Sequence, residues 1–189
     1  SLGFADDLLR NTQIVINNDE KEFYNGYQYS DFIGGEIAEV PYHLHPVIKM
    51  LNEKLRQSTD AFAEIEISGS ELDDWKRFVR SFPQKYDEKL FATPELHYYF
   101  YSVGIGALGI STFRSLGAEQ LEILQRFRNV FDLCYKRYND IKQAEAQARE
   151  AMIEASLERV RSRAVAMHTS EELVEASDVF FRQLGLLGI

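Results

Sequence analysis

The sequence predicts an α+β fold: an antiparallel sheet flanked by helices, followed by one long helix. Three observations carry this. Short aromatic and β-branched runs alternate with two helical patterns before the long helix. The last two runs are separated only by Gly104-Ile105-Gly106, a hairpin spacing, and few of the other connections force a parallel crossover. Finally, Ala118 to Val165 contains neither Gly nor Pro and is rich in Ala, Glu, Gln, Leu and Arg, the residues that lose least entropy in a helix.

In chain order, Gly3 to Arg10 reads as a lead-in with a helical turn at Leu8 and Leu9. A strand is expected from Asn11 to Asn17, a turn at Asn17-Asn18-Asp19-Glu20, and a second, aromatic strand from Glu22 to Ser30 with Gly26 at a bulge. Gly34-Gly35 breaks that pattern, and Glu36 to Val40 is a brief extended piece ending at Pro41. His45-Pro46 fits a helix start, because Pro is tolerated at the first helical position; Val47, Ile48, Leu51 and Leu55 supply the apolar face. Phe62 to Ile67 alternates, with Ala63, Ile65 and Ile67 inward and Glu64 and Glu66 outward, as a half-buried strand does. Ser70 and Asp73 are expected to cap a helix carrying Leu72, Trp75, Phe78 and Val79. Pro83 to Pro94 reads as irregular; Leu96 to Val103 and Ala107 to Phe113 read as strands.

A single helix from Ala118 to Val165 would extend roughly 70 Å at about 1.5 Å per residue. Early in it a wide apolar face, including Leu121, Leu124, Phe127, Phe131 and Tyr135, suits packing onto a domain. Later a narrow seam remains: Tyr138, Ile141, Ala148, Met152 and Ala155, with Glu145 interrupting. That 3-4 spacing predicts a paired helix, most simply the same helix of a second copy, so these five residues are the expected homodimer interface. After Val165, Thr169 and Glu172 have capping-box spacing, and Leu173 to Leu184 is helical in pattern. The apolar Leu186-Leu187-Gly188-Ile189 is expected to lead into a further domain. The expected layout is thus an α+β domain over 3–140, a coiled-coil linker over 141–167 and the first helix of a following domain over 168–189.

The 189 residues are 45% hydrophobic and 13% aromatic, enough for a core, and the formal net charge is −9. That charge argues against nucleic acid as a partner, since phosphate binding needs a basic surface. One Cys excludes an intramolecular disulfide, and no apolar run approaches the ~20 residues that span a bilayer. A cytoplasmic location, with no membrane contact, is the corresponding expectation.

The chemistry-bearing residues are sparse. His43 and His45 would share a face on a strand, as two metal ligands do, but no third ligand is apparent; a polar contact at a pocket edge or a helix cap accounts for them as well. Cys134 reads as a small core residue. Glu64 with Glu66, and Asp73 with Asp74, read as a solvated strand face and a helix start rather than as an acid–base pair. Tyr99 and Tyr101 share one strand face with His97, while Tyr98 and Phe100 share the other. The aromatic density is either a sheet core or an apolar pocket with polar tips. The candidate ligand-contacting set is Tyr42, His43, His45, Trp75, Tyr99 and Tyr101. No phosphate loop, nucleophile elbow or zinc spacing is present, so neither catalysis nor a cofactor is expected.

The run from Tyr98 to Glu145, with Leu121, Leu124, Phe127, Phe131, Tyr135, Arg137 and Asp140 on its helix, resembles the closing half of a GAF domain. Val40 to Trp75, with His45-Pro46 and Gly69-Ser70-Glu71-Leu72, is similar to the middle of that family. Ala146 to Ile189 resembles the linkers between sensor domains of bacterial multi-domain sensor histidine kinases, above all residues 155–168 and the Ser-Glu-Glu-Leu of 170–173. The resemblance implies a cytoplasmic, dimeric, non-catalytic sensory module of a two-component system. It would bind a small ligand or relay a signal through its helix to an output domain, a kinase, outside this chain. The family's cyclic-nucleotide motif is not matched, since Asp87-Glu88 follows Phe82 at a different spacing and no Asn-Lys pair precedes it. No Cys sits where a bilin would attach, so neither ligand is implied. The competing expectations are a dimerisation spacer without a ligand and an unrelated small α+β enzyme.

Overall fold

A computed structural model describes residues 8–81 and 87–189. The expected lead-in before Leu8 and the start of the stretch expected to be irregular therefore lie outside the described residues.

The first unit, residues 1–132, is built on one six-stranded antiparallel sheet. Its strands are β1 (Leu9–Asn18), β2 (Phe23–Ser30), β3 (Gly34–Pro41), β4 (Phe62–Ser68), β5 (Glu95–Ser102) and β6 (Gly106–Thr112). They lie in the order β3-β2-β1-β6-β5-β4, so two meanders meet where β1 pairs with β6. Helices α1 (Pro46–Leu55), α2 (Gly69–Arg80) and α3 (Glu88–Ala92) come between strands, and α4 (Ala118–Val165) follows the sheet. The α+β architecture is the expected one.

The register separates the two sheet faces. One face carries Val15, Tyr24, Ala63, Ile65, Ile67, Leu96, Tyr98 and Phe100, and this side packs against α1, α2 and α3 through Val47, Leu51, Leu72, Trp75 and Leu90. The other carries Tyr99, Tyr101 and Ile110, which pack against Leu116, Leu121 and Leu124 at the start of α4. β5 is an interior strand covered by α1–α3 on one face and by the start of α4 on the other, so its aromatic residues run without interruption. β4 is an edge strand, and its exposed Glu64 and Glu66 keep that edge wet. Fully burying each of Ile67, Leu72, Leu90 and Leu96 contributes roughly 1.5–3 kcal/mol.

Several local expectations are corrected. Gly26 pairs regularly with Val15 and Ala38, and the register shift lies instead on β1, between Leu9 and Asn11, opposite β6. Leu9 begins a strand rather than closing a helical turn. Helix α2 begins earlier than Ser70: Ser68 is its N-cap residue and Gly69, at φ +53°, turns the chain into it. The stretch read as irregular contains α3, capped by Asp87, whose carboxylate accepts from Lys89 N at 3.0 Å. Gly106 permits the β1–β6 pairing, because a Cβ there would lie 1.9 Å from the Val15 carbonyl oxygen.

Helix α4 is continuous over 48 residues, with the expected bounds. In the second unit, residues 133–189, a 3₁₀ turn (Ser170–Glu172) leads into α5 (Leu173–Leu186). The capping box forms only in part: Thr169 makes no cap bond, while Glu172 accepts from His168 N at 2.7 Å. Arg159 donates to Gln183 at 2.9 Å and Arg163 pairs with Glu175, so α5 runs antiparallel to the last turns of α4. The covered side of α4 near its end is Ile153, Ser156, Val160 and Arg163, itself a 3-4 spacing. Tyr138, Ile141, Ala148, Met152 and Ala155 are exposed. Cys134 is exposed too, which overturns its reading as a core residue. No helix among the described residues is long and apolar enough to cross a membrane.

Candidate functional site

Between the β1–β2–β3–β5 face and helices α1 and α2 lies a cavity of about 280 Å³. Its walls are mainly apolar: Val15, Val40, Ile48, Leu51, Leu55, Phe78, Val79 and Phe100. The register makes it. Tyr24, Gly26 and Gln28 on β2 and Gln13 and Val15 on β1 fall on the helix-covered face, while α1 and α2 pack mainly over β4 and β5. Small side chains at Gly26 and Ala38 leave space beside the covering helices.

The cavity's polar groups are few. Arg10 Nε donates to Asp87 Oδ2 at 3.1 Å, and the two side chains are 10% and 1% exposed. Arg10 also reaches Ser111 Oγ at 3.3 Å, and Ser111 donates to Asn11 Oδ1. The phenols of Tyr24 and Tyr98 line the same space. Burial pushes the Tyr98 hydroxyl up to about 12 and raises that of Tyr24 further. Trp75 Nε1 is buried, and among the described residues only the Tyr98 hydroxyl lies within its reach.

Of the six expected ligand contacts, Trp75 alone lines this cavity. Tyr99 and Tyr101 stand on the opposite face, where the Tyr99 hydroxyl accepts from Leu116 N at 2.9 Å. Tyr42 is buried elsewhere: its hydroxyl donates to Asp19 Oδ1 at 2.8 Å and Arg56 lies 4.5 Å above its ring. The Arg56 hydrogen bond, with that of Tyr42, holds the Asp19 carboxyl below its ordinary value. His43 is exposed. His45 caps α1, accepting from Val47 N at 3.2 Å, with Asp74 3.2 Å from its other nitrogen and its ring against Trp75 and Phe78. The capping alternative therefore describes His45, and no group of three or more metal-ligating side chains occurs among the described residues.

Sequence reasoning did not single out Arg10, Gln13, Val15 and Gln28. The signal available was the period-2 alignment of Gln13 and Val15 with Gln28 and Gly26, which only the strand pairing makes usable.

On the far side of β5 the start of α4 is fastened to the sheet. Beyond the Tyr99 bond, Arg128 Nε donates to Ser102 O at 2.9 Å and its Nη2 to Thr59 O at 3.0 Å. Fold and cavity thus define an α+β domain with an apolar, aromatic-walled hollow on one sheet face and a long helix anchored on the other. Compared with known proteins, the chain matches no family model, no curated protein and no solved structure.

Proposed function

We propose that this chain is a non-catalytic sensory module, GAF-like in plan, that takes a small molecule into the cavity and passes its occupancy to α4. One observation carries the reading. Along β5, Tyr98 and Phe100 wall the cavity while the residue between them, Tyr99, holds the start of α4. A ligand that shifts β5 on one side therefore acts on the helix anchor on the other, provided its affinity differs between two positions of that anchor. The rest of the proposal is a second copy paired through Tyr138, Ile141, Ala148, Met152 and Ala155 and a cytoplasmic output enzyme, a histidine kinase, outside this chain. The exposure of the five seam residues supports the pairing.

The test screens small apolar molecules by thermal shift on the native chain and on Ala38→Leu, which fills the cavity. Hydrogen exchange of residues 116–128 is then followed with the best binder. Binding lost in Ala38→Leu and altered exchange at the start of α4 is the expected result. Equal binding by both chains, or unchanged exchange under saturation, would refute the reading.

A further inference from the structure

Three polar groups meet at this cavity: the Tyr24 and Tyr98 hydroxyls and the Trp75 indole N–H. Among the described residues the Tyr24 hydroxyl makes no hydrogen bond and that of Tyr98 has only the Trp75 indole N–H within reach, although both line the space. The Trp75 indole N–H, buried and with no other partner among the described residues, can only donate towards the Tyr98 oxygen, which leaves the Tyr98 O–H itself free to donate. Tyr24 reaches in from β2 and Tyr98 from β5, close enough that each hydroxyl's charge is felt by the other. An indole N–H only donates, and a neutral phenol donates readily. This wall is therefore rich in donors, and an unsatisfied buried polar group is costly enough that such a cluster calls for a partner.

The ionic balance narrows the partner's charge. Among the described residues the charged ones on the lining are Arg10, Asp87 and Glu39. Arg10 is occupied by Asp87 and Ser111, so among the described residues no cation on the lining is left for an anionic ligand. Glu39 sits on an exposed position of β3, where water screens it, so it offers a buried cation little. A charge placed among Val15, Ile48, Leu51 and Phe100 would lack a counterion, and burying it unpaired is prohibitive.

We infer that the cavity takes an uncharged, mainly apolar molecule bearing a hydrogen-bond acceptor such as a carbonyl oxygen, seated on the Tyr24 and Tyr98 hydroxyls. The inference rests on the ligand-binding reading above and adds the ligand's class.

Trp75 is the only Trp in the chain, so its single indole N–H resonance reports occupancy of the wall it stands in. Four probes of matched size separate the cases: 2-acetonaphthone (neutral, with acceptor), 2-ethylnaphthalene (neutral, without one), 2-naphthoate (anion) and 1-(2-naphthyl)ethylamine (cation). Each is titrated into the native chain, Tyr24→Phe and Tyr98→Phe. The expected result is acetonaphthone binding about tenfold tighter than ethylnaphthalene, the worth of one hydrogen bond. Either Phe variant should reduce that preference while leaving ethylnaphthalene unchanged. Should one variant fail to fold, the other carries the comparison. Equal affinity for the two neutral probes, or tightest binding of the naphthoate or the amine, overturns the inference but leaves the cavity a binding site. A Trp75 resonance unmoved by all four probes up to their solubility overturns the ligand-binding reading itself.

Discussion

Replacing Arg10 by Met tests whether the polar wall of the cavity is held by the Arg10–Asp87 pair. Met keeps the unbranched apolar stem of the side chain and removes the guanidinium with its charge. The Asp87 carboxylate, 1% exposed, would keep only the Lys89 N–H at 3.0 Å as a described donor. Breaking a buried pair by removing one partner costs about 3–5 kcal/mol, because a charge is left uncompensated. Arg10 is itself 10% exposed, so some water reaches the pair and the lower half of that range is expected. The diagnostic variant is the double replacement Arg10→Met with Asp87→Asn. Asn still offers an oxygen to Lys89 N and caps a helix about as well as Asp, but it carries no charge to strand. The double variant should therefore be more stable than Arg10→Met alone, at a net cost of about 1–2 kcal/mol. Urea denaturation followed by Trp75 fluorescence reads the first unit selectively, since Trp75 is the only Trp in the chain. A single variant costing under about 1 kcal/mol, or a double variant less stable than the single, would refute the reasoning.

Three further outcomes are expected. Gly106→Ala should destabilise the first unit by about 3 kcal/mol, and more than Gly109→Ala, in urea midpoints: the new methyl meets the Val15 backbone at 1.9 Å in the first case but a rotatable Phe100 ring at 2.3 Å in the second. Stability should fall as pH rises from 10 towards 12. Burial lifts the Tyr98 phenol from 10.0 to about 12, so its contribution is complete below pH 10 and is lost as the unfolded chain ionises first, about 3 kcal/mol in all; Tyr98→Phe should reduce the slope of urea midpoints measured between about pH 10 and pH 12, and an unchanged slope would count against the burial. In a parallel α4 pair Cys134 would face its own copy, because it continues the spacing of Tyr138 and Ile141. Mild oxidation should then give a disulfide-linked dimer on non-reducing gels, and Met152→Glu should suppress both the dimer and its sedimentation; a monomeric native chain would sink the pairing.

The strands and helices were legible where one face is wet. β4 shows its alternation because it is an edge strand with Glu64 and Glu66 in water, and the bounds of α4 follow from the lack of Gly and Pro between Ala118 and Val165. Legibility fails where a second element decides. The 3-4 spacing on α4 can be drawn through Met152 and Ala155 or, one position on, through Ile153 and Ser156; α5 covers the second set, and the periodicity of one helix cannot show that. The start of α2 was missed because Ser70 and Asp73 have capping spacing, whereas the chain already turns at Gly69.

The misplacement of Tyr99 and Tyr101 has a more instructive cause. A strand buried on one side declares its faces through alternation; β5 is buried on both, so Leu96 to Tyr101 reads as one unbroken apolar run with His97 hidden inside it. Which tyrosines meet the cavity is fixed by register against β6 and β4, where Tyr98 opposes Ser111 and Ile65, and Tyr99 opposes Ile110 and Glu64. The feature that concealed the site is also the one by which, in the proposed reading, an interior strand would couple its two sides. Leu96 to Phe100 are all buried, so a displacement that makes room at Tyr98 and Phe100 finds no solvent at Tyr99 on the far face to absorb it. In the proposed reading it is taken up at Tyr99, whose hydroxyl holds Leu116, and thus at the first turns of α4.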